Sequence, residues 1–138
     1  MSDIPARLRR RVLARARGRC EYCRLSQEGQ EATFHIDHIV PRADSGATEL
    51  SNLALACVSC SLRKAARRSA ADPETNRVVP LFHPRRQRWA RHFRWDGEYV
   101  IGLTPTGRAT VEALQMNRPL ILAIRQEERL RGRLPPAD

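Results

Sequence analysis

Two short cysteine motifs flank a histidine-rich segment, and this stretch decides the fold. It reads Cys20-Glu21-Tyr22-Cys23, then His35-Ile36-Asp37-His38-Ile39-Val40-Pro41, then Asn52-Leu53, then Cys57-Val58-Ser59-Cys60-Ser61-Leu62-Arg63-Lys64. Each Cys-x2-Cys motif supplies two thiolates from one tight turn, and zinc binds four such ligands at the corners of a tetrahedron. Two motifs complete that set and leave no coordination position open. The spacing therefore predicts one structural zinc site, formed by Cys20, Cys23, Cys57 and Cys60.

The cysteines have two other interpretations, as redox-active dithiols or as free cysteines of the core. A redox dithiol of this spacing lies on a βαβ frame, and the sequence around neither motif has that pattern. The sequence also shows no signal peptide and no run of roughly 18 apolar residues, the length of a membrane helix. We therefore expect a cytoplasmic protein without membrane contact, in a reducing compartment where cysteines bind metals more often than they form disulfides.

The chain of 138 residues is strongly basic. It has 25 basic and 15 acidic residues, which gives a formal net charge of +10. All the basic residues except Lys64 are arginine. A surplus of this size indicates a polyanionic partner such as a nucleic acid, and arginine pairs well with phosphate oxygens. A compositional bias toward arginine explains the missing lysines equally well, but it leaves the positive field in place.

An arginine-rich helix is predicted at the N-terminus. Ser2 or Asp3 can cap this helix, Pro5 fits its first turn and Gly18 ends it. Seven arginines lie between positions 7 and 19. The helix therefore presents either a solvated charged face or a surface that contacts phosphate groups.

The central segment predicts a ββα unit and hence the α+β class. A strand around Thr33–Ile39 ends at Pro41, a turn follows at Asp44–Ala47, and Leu53–Ala56 forms the second strand. A helix from Ser61 to about Ala71 completes the unit. Much of the insert between the cysteine motifs consists of loop residues, and structural zinc can contribute on the order of 10 kcal/mol to folding.

A second module is predicted after a linker at Asp72–Asn76. We divide the chain into residues 1–72, with the first helix and the ββα unit, and residues 73–138, a small α/β extension packed on it. The extension is expected to contain a helix opened by Pro84 that carries Trp89 and Phe93, and a hairpin that turns at Asp96-Gly97. Two further helices are expected from Thr104-Pro105 to about Met116 and from about Pro119 to Arg131.

His38 and Asp37 have the side chains that phosphodiester hydrolysis requires. A neutral histidine can take a proton from water near pH 7. A carboxylate can hold a hard cation that neutralises charge on the phosphate. Neighbouring residues of a regular strand point to opposite faces, so these two can share a site only at a twisted or bulged strand end, and Pro41 marks such an end.

The stretch from Cys20 to about Arg67 resembles the HNH nuclease family. The family signature is Asp-His, then Asn-Leu, then a zinc knuckle followed by Asn-x-x-Lys. The matching residues are Asp37-His38, Asn52-Leu53, Cys57 with Cys60, and Ser61-Leu62-Arg63-Lys64. The resemblance implies a ββα-metal fold in which His38 is the general base and Asp37 holds a catalytic Mg²⁺ or Mn²⁺ ion. It also implies a bacterial or phage protein, because the C-terminal segment resembles an extension found in a bacterial subset of the family. It also implies that Asn52 fixes the loop and orients His38, and that Lys64 could hold a phosphate.

The chain departs from the signature at Ser61, where the family has Asn or His as the second protein ligand of the catalytic metal. A serine hydroxyl is a weaker ligand, so Ser61 binds the metal directly, acts through a water, leaves His35 to compensate, or disables the site. His35 lies two residues before Asp37 and shares its face of the strand. It could join the metal or contact the phosphate, and a packing or surface role is equally consistent with the sequence.

The resemblance and the charge together lead us to expect a metal-dependent endonuclease that cuts double-stranded DNA, as a monomer or homodimer. We assign DNA binding to the helix after the second cysteine motif, through Arg63, Lys64, Arg67 and Arg68. One alternative is a zinc-stapled nucleic-acid-binding module that does not cut, which Ser61 favours. The other is a nuclease directed at RNA. The intact set of Asp37, His38 and Asn52 favours cleavage, since a binding module has no need of it.

Overall fold

The computed structural model describes residues 4–136, so the predicted caps Ser2 and Asp3 lie outside the described residues. By packing, the chain forms two compact units. The first contains the residues up to Arg68 together with residues 83–87, and the second contains residues 69–82 and those from Arg88 onward. Each unit combines helices with small antiparallel sheets, which confirms the α+β class. Within the described range, no helix is long and apolar enough to cross a membrane.

The first unit begins with helix α1, Ala6–Ala16. Its buried residues are Val12 and Ala16, four apart on one face, as an amphipathic helix requires. Arg17 ends the helix in the left-handed region with φ of 55°, and Gly18 follows with φ of 69°. The helix thus ends just before the predicted glycine, which forms part of the same turn.

Strands β1 (His35–His38) and β2 (Leu53–Ala56) form an antiparallel pair. In their register, His38 lies opposite Leu53. All four residues of β2 are buried, as expected of a strand whose two faces are covered. β2 has the predicted bounds, whereas β1 is shorter than the predicted strand over residues 33–39.

The loop between the two strands is tightly closed. It contains two short 3-10 turns, Arg42–Asp44 and Leu50–Asn52. A Cβ on Gly46 would lie 1.7 Å from the carbonyl oxygen of Val40. No other residue fits at this glycine without a shift of the backbone, so the loop depends on it.

The helix after the second cysteine motif is shorter than predicted. Helix α2 spans Val58–Lys64, with Cys57 as its N-cap, instead of running from Ser61 to about Ala71. It ends because Ala65 turns the chain with a positive φ of 48°. Residues 69–71 then pair as a strand, so tertiary pairing overrides the helix propensity of an alanine-rich segment.

The second unit contains two hairpins and three helices within the described residues. The hairpins are β3 (Ser69–Ala71) with β4 (Val78–Pro80), and β5 (Phe93–Asp96) with β6 (Tyr99–Gly102). The helices are α3 (Trp89–His92), α4 (Pro105–Ala113) and α5 (Pro119–Leu130). The hairpin β5–β6 and the helix α5 lie where they are predicted, and α4 ends earlier than predicted.

Two predictions for this region are wrong. Asp72–Asn76 is the turn of the β3–β4 hairpin rather than a linker, and Asp72 is fully buried. The cause is Arg108, whose guanidinium donates to both carboxylate oxygens of Asp72 at 3.0 and 2.9 Å. Pro84 does not open a helix, because residues 84–87 form a turn and Phe93 already belongs to β5.

The two units do not follow the predicted division at residue 72. The second unit begins at Ser69, where β3 pairs with β4, and Asp72 lies in that unit with its ion-pair partner Arg108. Residues 83–87 belong to the first unit, where Arg85 forms an ion pair with Glu21 of the first cysteine motif. Both differences involve contacts between residues that are not neighbours in the sequence.

Candidate metal centre and nuclease site

The four cysteines of the two motifs form one buried cluster. Their sulfur atoms all lie within 4.8 Å of one another, and those of Cys23 and Cys57 are 3.7 Å apart. Zinc–sulfur bonds of about 2.3 Å in a tetrahedron place sulfur atoms roughly 3.8 Å apart. The cluster therefore fits a zinc ion in both donor type and spacing, and the four cysteines could bind zinc as predicted.

Backbone amides support the sulfur atoms of both motifs. The amide of Cys60 donates to Cys57 Sγ at 3.4 Å, and that of Cys23 donates to Cys20 Sγ at 3.5 Å. Hydrogen bonds with the other thiols raise the pKa of Cys23 and of Cys60 and lower that of Cys57. The thiolate of Cys57 is thus stabilised by its neighbours. A second or third thiolate in the same cluster would be repelled by it. A bound dication removes this repulsion, so the donor chemistry also favours a metal.

Asp37 lies in a nearly closed environment between β1, α2 and the first cysteine motif. The ammonium of Lys64 lies 3.2 Å from Asp37 Oδ2, and the hydroxyl of Tyr22 donates to the same oxygen at 3.3 Å. Burial raises the pKa of Asp37, and the charge of Lys64 and the hydrogen bonds oppose this rise. No donor among residues 4–136 contacts Oδ1, so this oxygen is left for a ligand.

Lys64 does not lie where a phosphate contact requires it. Its side chain is only 2% exposed, and its ammonium donates to the carbonyl oxygen of His38 at 3.4 Å in addition to pairing with Asp37. The predicted role of Lys64 in binding nucleic acid is therefore corrected. Its charge is used inside the unit, where it holds the end of α2 against β1.

His38 lies at the end of β1, as predicted, and its Nε2 lies 2.9 Å from Oγ1 of Thr48. Burial lowers the pKa of His38, the nearby Arg42 lowers it further, and Asp37 opposes the shift. The neutral imidazole is thus favoured at pH 7. Sequence reasoning missed Thr48, because a threonine in a polar loop carries no signal of its own.

Asn52 holds the loop between the strands. Its Oδ1 accepts from the amide of Val40 at 2.8 Å, and its Nδ2 donates to the carbonyl oxygens of Val40 and Ala47 at 3.0 and 2.9 Å. These three bonds fix the loop that carries Thr48. The structure shows no direct bond between the side chains of Asn52 and His38, so any effect on His38 passes through the loop.

His35 and Ser61 are brought into direct contact. His35 Nδ1 lies 2.9 Å from Ser61 Oγ, which joins the first residue of β1 to the middle of α2. Apart from the four cysteines, the described residues contain no group of three His, Cys, Asp or Glu side chains that could share an ion. A second metal would therefore depend on few protein ligands, as Mg²⁺ commonly does when substrate phosphate and water complete its shell.

The other residues assigned to DNA binding are on the surface. Arg63, Arg67 and Arg68 are exposed, and only Arg63 has a side-chain bond in the described part of the chain, to Ser59 Oγ at 3.2 Å. These three guanidinium groups can bind phosphate oxygens without first breaking an ion pair.

A buried ion pair also supports the first cysteine motif, and no local sequence pattern predicts it. Glu21 accepts from the amide of Leu55 through Oε2 at 2.8 Å and binds Arg85 through Oε1. Burial lowers the pKa of Arg85 to about 10, and Arg15 adds to the shift. Arg85 therefore stays charged at pH 7 and compensates the buried carboxylate.

Comparison with known proteins agrees with the resemblance described above. Residues 20–67 match the family model described as HNH endonuclease. No curated protein and no solved structure matches the chain significantly. The matched segment contains both cysteine motifs and all the residues assigned to the candidate site except Arg68, and it indicates a nuclease or nucleic-acid-binding function.

Proposed function

We propose, from the premise that residues 20–67 form an HNH domain, that this protein is a metal-dependent DNA endonuclease. The observation that carries the proposal is the placement of His38. Its imidazole is held by Thr48 on a loop that Asn52 fastens, and its lowered pKa favours the neutral form that a general base needs. The carboxylate of Asp37, the residue before His38, has one oxygen without a hydrogen-bond donor among residues 4–136.

His38 activates the attacking water in this mechanism. With the ring proton on Nε2, the imidazole donates to the hydroxyl of Thr48, and Nδ1 keeps the lone pair that accepts a proton from water. This tautomer is our assignment. General-base catalysis of this kind contributes roughly 10²- to 10⁴-fold to a rate.

Asp37 would hold the catalytic ion through Oδ1, with Ser61 or His35 as a further ligand. Mg²⁺ or Mn²⁺ held by these residues would supply positive charge that stabilises negative charge on the phosphate. The ion pair with Lys64 favours the ionised form of Asp37 and opposes the effect of burial on its pKa. His35 Nδ1 lies 2.9 Å from Ser61 Oγ, so the two candidate donors lie together.

The positive charge of the chain supports a nucleic-acid substrate. The net charge of +10 produces a long-range attraction for phosphate, and Arg63, Arg67 and Arg68 are exposed beside the candidate site on or just after α2. The zinc centre has a structural role in this proposal, because its four ligands leave no open position.

A second candidate function is a nucleic-acid-binding module that does not cut. Two observations favour it: the serine at position 61, and the ion pair by which Lys64 already neutralises Asp37. The positive surface serves this function equally well. A nuclease directed at RNA has the same residues and differs only in substrate.

One experiment separates these functions. Purified zinc-loaded protein is incubated with supercoiled plasmid and with a folded RNA, each in Mg²⁺, Mn²⁺ or chelator. Nicking of the plasmid that requires the divalent ion supports the DNA endonuclease, and cleavage of RNA alone supports the RNA-directed nuclease. Binding to plasmid without cleavage under every condition supports the binding module and rejects the nuclease proposal.

A further inference from the structure

The outer edge of β2, on the side away from β1, is closed by charged side chains. The amide of Ile39 donates to the carbonyl oxygen of Asn52 at 2.9 Å, so Asn52 faces β1. Antiparallel pairs alternate between hydrogen-bonded and non-hydrogen-bonded residues. The next pair, His38 with Leu53, is therefore a non-hydrogen-bonded pair. The carbonyl of Leu53 then points away from β1.

Arg15 of α1 binds this outward carbonyl. Its Nη2 donates to the oxygen of Leu53 at 2.6 Å, and its Nη1 donates to the oxygen of Leu50 at 2.9 Å. The two carbonyls lie on either side of Asn52, which fastens the loop. One guanidinium thus binds the carbonyl at each end of the turn Leu50–Asn52. This turn connects the loop that carries Thr48 to Leu53, the residue opposite His38.

We propose that Arg15 is a positioning residue for His38. In a non-hydrogen-bonded pair the two side chains lie close together. A shift of Leu53 therefore displaces the side chain of His38. A shift of the same turn also moves Asn52 and, through the loop, Thr48. The inference rests on the proposed nuclease function for its effect on catalysis, but its structural part can be tested without cleavage.

The contact needs arginine in particular. A guanidinium is a planar fork with donors in fixed directions, whereas a lysine ammonium is a point charge that cannot span two carbonyls in this way. Burial lowers the pKa of Arg15, and repulsion from Arg11 adds to the effect. Arg15 as a whole is exposed, and its bond to Leu53 is partly buried. Arg11, one turn earlier on α1, has no side-chain hydrogen bond to any of residues 4–136. It provides a matched control on the same helix.

The test compares Arg15→Lys with Arg11→Lys, since both changes keep the charge of α1. Two quantities are measured on zinc-loaded protein: the dissociation constant for plasmid DNA, and the single-turnover rate of nicking at saturating protein. We expect Arg15→Lys to lower the single-turnover rate roughly 10- to 100-fold, as a displaced catalytic group does, with the dissociation constant changed less than about 2-fold. Arg11→Lys is expected to leave both quantities near those of the wild type.

A second readout follows His38 itself. The ring ¹⁵N signals of histidine-labelled protein are assigned by comparison with His38→Gln. In Arg15→Lys the His38 signals should shift or broaden while those of His92, in the second unit, stay in place. Arg15→Gln can keep one of the two bonds and should give intermediate changes in rate and signal. If the Arg15→Lys protein does not fold, Arg15→Gln is tested in its place.

The outcomes are distinct for the two proposals. If the wild type never cuts nucleic acid, the nuclease proposal fails and the His38 signals alone decide the role of Arg15. If Arg15→Lys keeps both the wild-type rate and the wild-type His38 signals, Arg15 does not position His38. If Arg11→Lys and Arg15→Lys lose activity equally, the effect is not specific to the contact of Arg15 with the two carbonyls and the positioning role is rejected.

Discussion

The ammonium of Lys64 lies 3.2 Å from Oδ2 of Asp37, and this ion pair joins the last residue of α2 to β1 inside the first unit. The side chain of Lys64 is 2% exposed and that of Asp37 is 11% exposed. The positive charge opposes the rise in the pKa of Asp37 that burial causes. Lys64 therefore favours the ionised form of Asp37, although Lys64 itself does not reach the surface.

We predict that Lys64→Met destabilises the first unit. Removing one partner of a buried pair leaves the other charge uncompensated, which costs about 3 kcal/mol. Denaturant unfolding of zinc-loaded protein measures the loss. Arg63→Met, an exposed neighbour, should change the free energy of unfolding by less than about 0.5 kcal/mol. The double variant Asp37→Asn with Lys64→Met should recover much of the loss, and an equally unstable double variant would show that Lys64 acts by packing rather than by charge.

We predict one tightly bound zinc ion per chain. The cluster of four cysteines has the sulfur spacing and buried position of a closed site, and such sites contribute on the order of 10 kcal/mol to folding. Metal analysis of protein purified without added zinc should give about one equivalent. Cys23→Ser should lose most of the metal and the folded first unit. Metal content far below one equivalent, together with four freely titratable thiols, would rule the site out.

We predict that acid weakens the second unit through Asp72. The guanidinium of Arg108 lowers the pKa of Asp72 to about 2, below the value of about 3.9 in an unfolded chain. The pair therefore contributes its full stability above pH 4 and loses it as the pH falls toward 2. Both tryptophans, Trp89 and Trp95, lie in this unit, so tryptophan fluorescence follows its unfolding. Asp72→Asn should be less stable at pH 6 and should lack this acid-dependent step, whereas Glu127→Gln, at an exposed pair, should keep it.

The sequence predicted those features that depend on local pattern. The spacing of the cysteines predicted the cluster, and the apolar run at Leu53–Ala56 predicted β2 with its observed bounds. Asp37, His38 and Asn52 could be named because they follow a family signature over residues 20–67. Each of these signals lies within a few neighbouring residues.

The features that sequence analysis missed depend on pairs far apart in the chain. Asp72 was read as part of a linker because its neighbours are turn residues, but its partner Arg108 lies 36 positions away. The contact of Arg15 with Leu53 spans 38 positions. Lys64 was assigned to phosphate binding because it has the basic position of the family signature, and only the fold shows that it is buried against Asp37.

We predict that His38→Ala lowers the rate of plasmid nicking by about 100-fold or more, the usual contribution of a general base. DNA affinity should change little, because the loss is of one neutral side chain in a chain of net charge +10. His92→Gln in the second unit is the control histidine, and its rate should stay near that of the wild type. A His38→Ala variant that nicks plasmid at the wild-type rate would remove His38 from the mechanism.

We predict that Ser61 decides how well the catalytic ion is held. Its Oγ lies 2.9 Å from Nδ1 of His35, and an amide oxygen is a better ligand for a hard cation than a hydroxyl. Ser61→Asn should therefore retain or raise the nicking rate and lower the Mg²⁺ concentration at half-maximal rate, whereas Ser61→Ala should reduce the rate.

The matched control for Ser61 is Ser59→Asn, which introduces the same side chain at a position of α2 that bonds Arg63. It should leave the Mg²⁺ dependence unchanged. A wild type that binds plasmid but never nicks it, next to an active Ser61→Asn, would mean that Ser61 disables the nuclease and that the binding function is the natural one. Equal rates and equal Mg²⁺ dependence for Ser61→Ala and the wild type would show that Ser61 is not a ligand, and His35 would then be the remaining partner for Asp37.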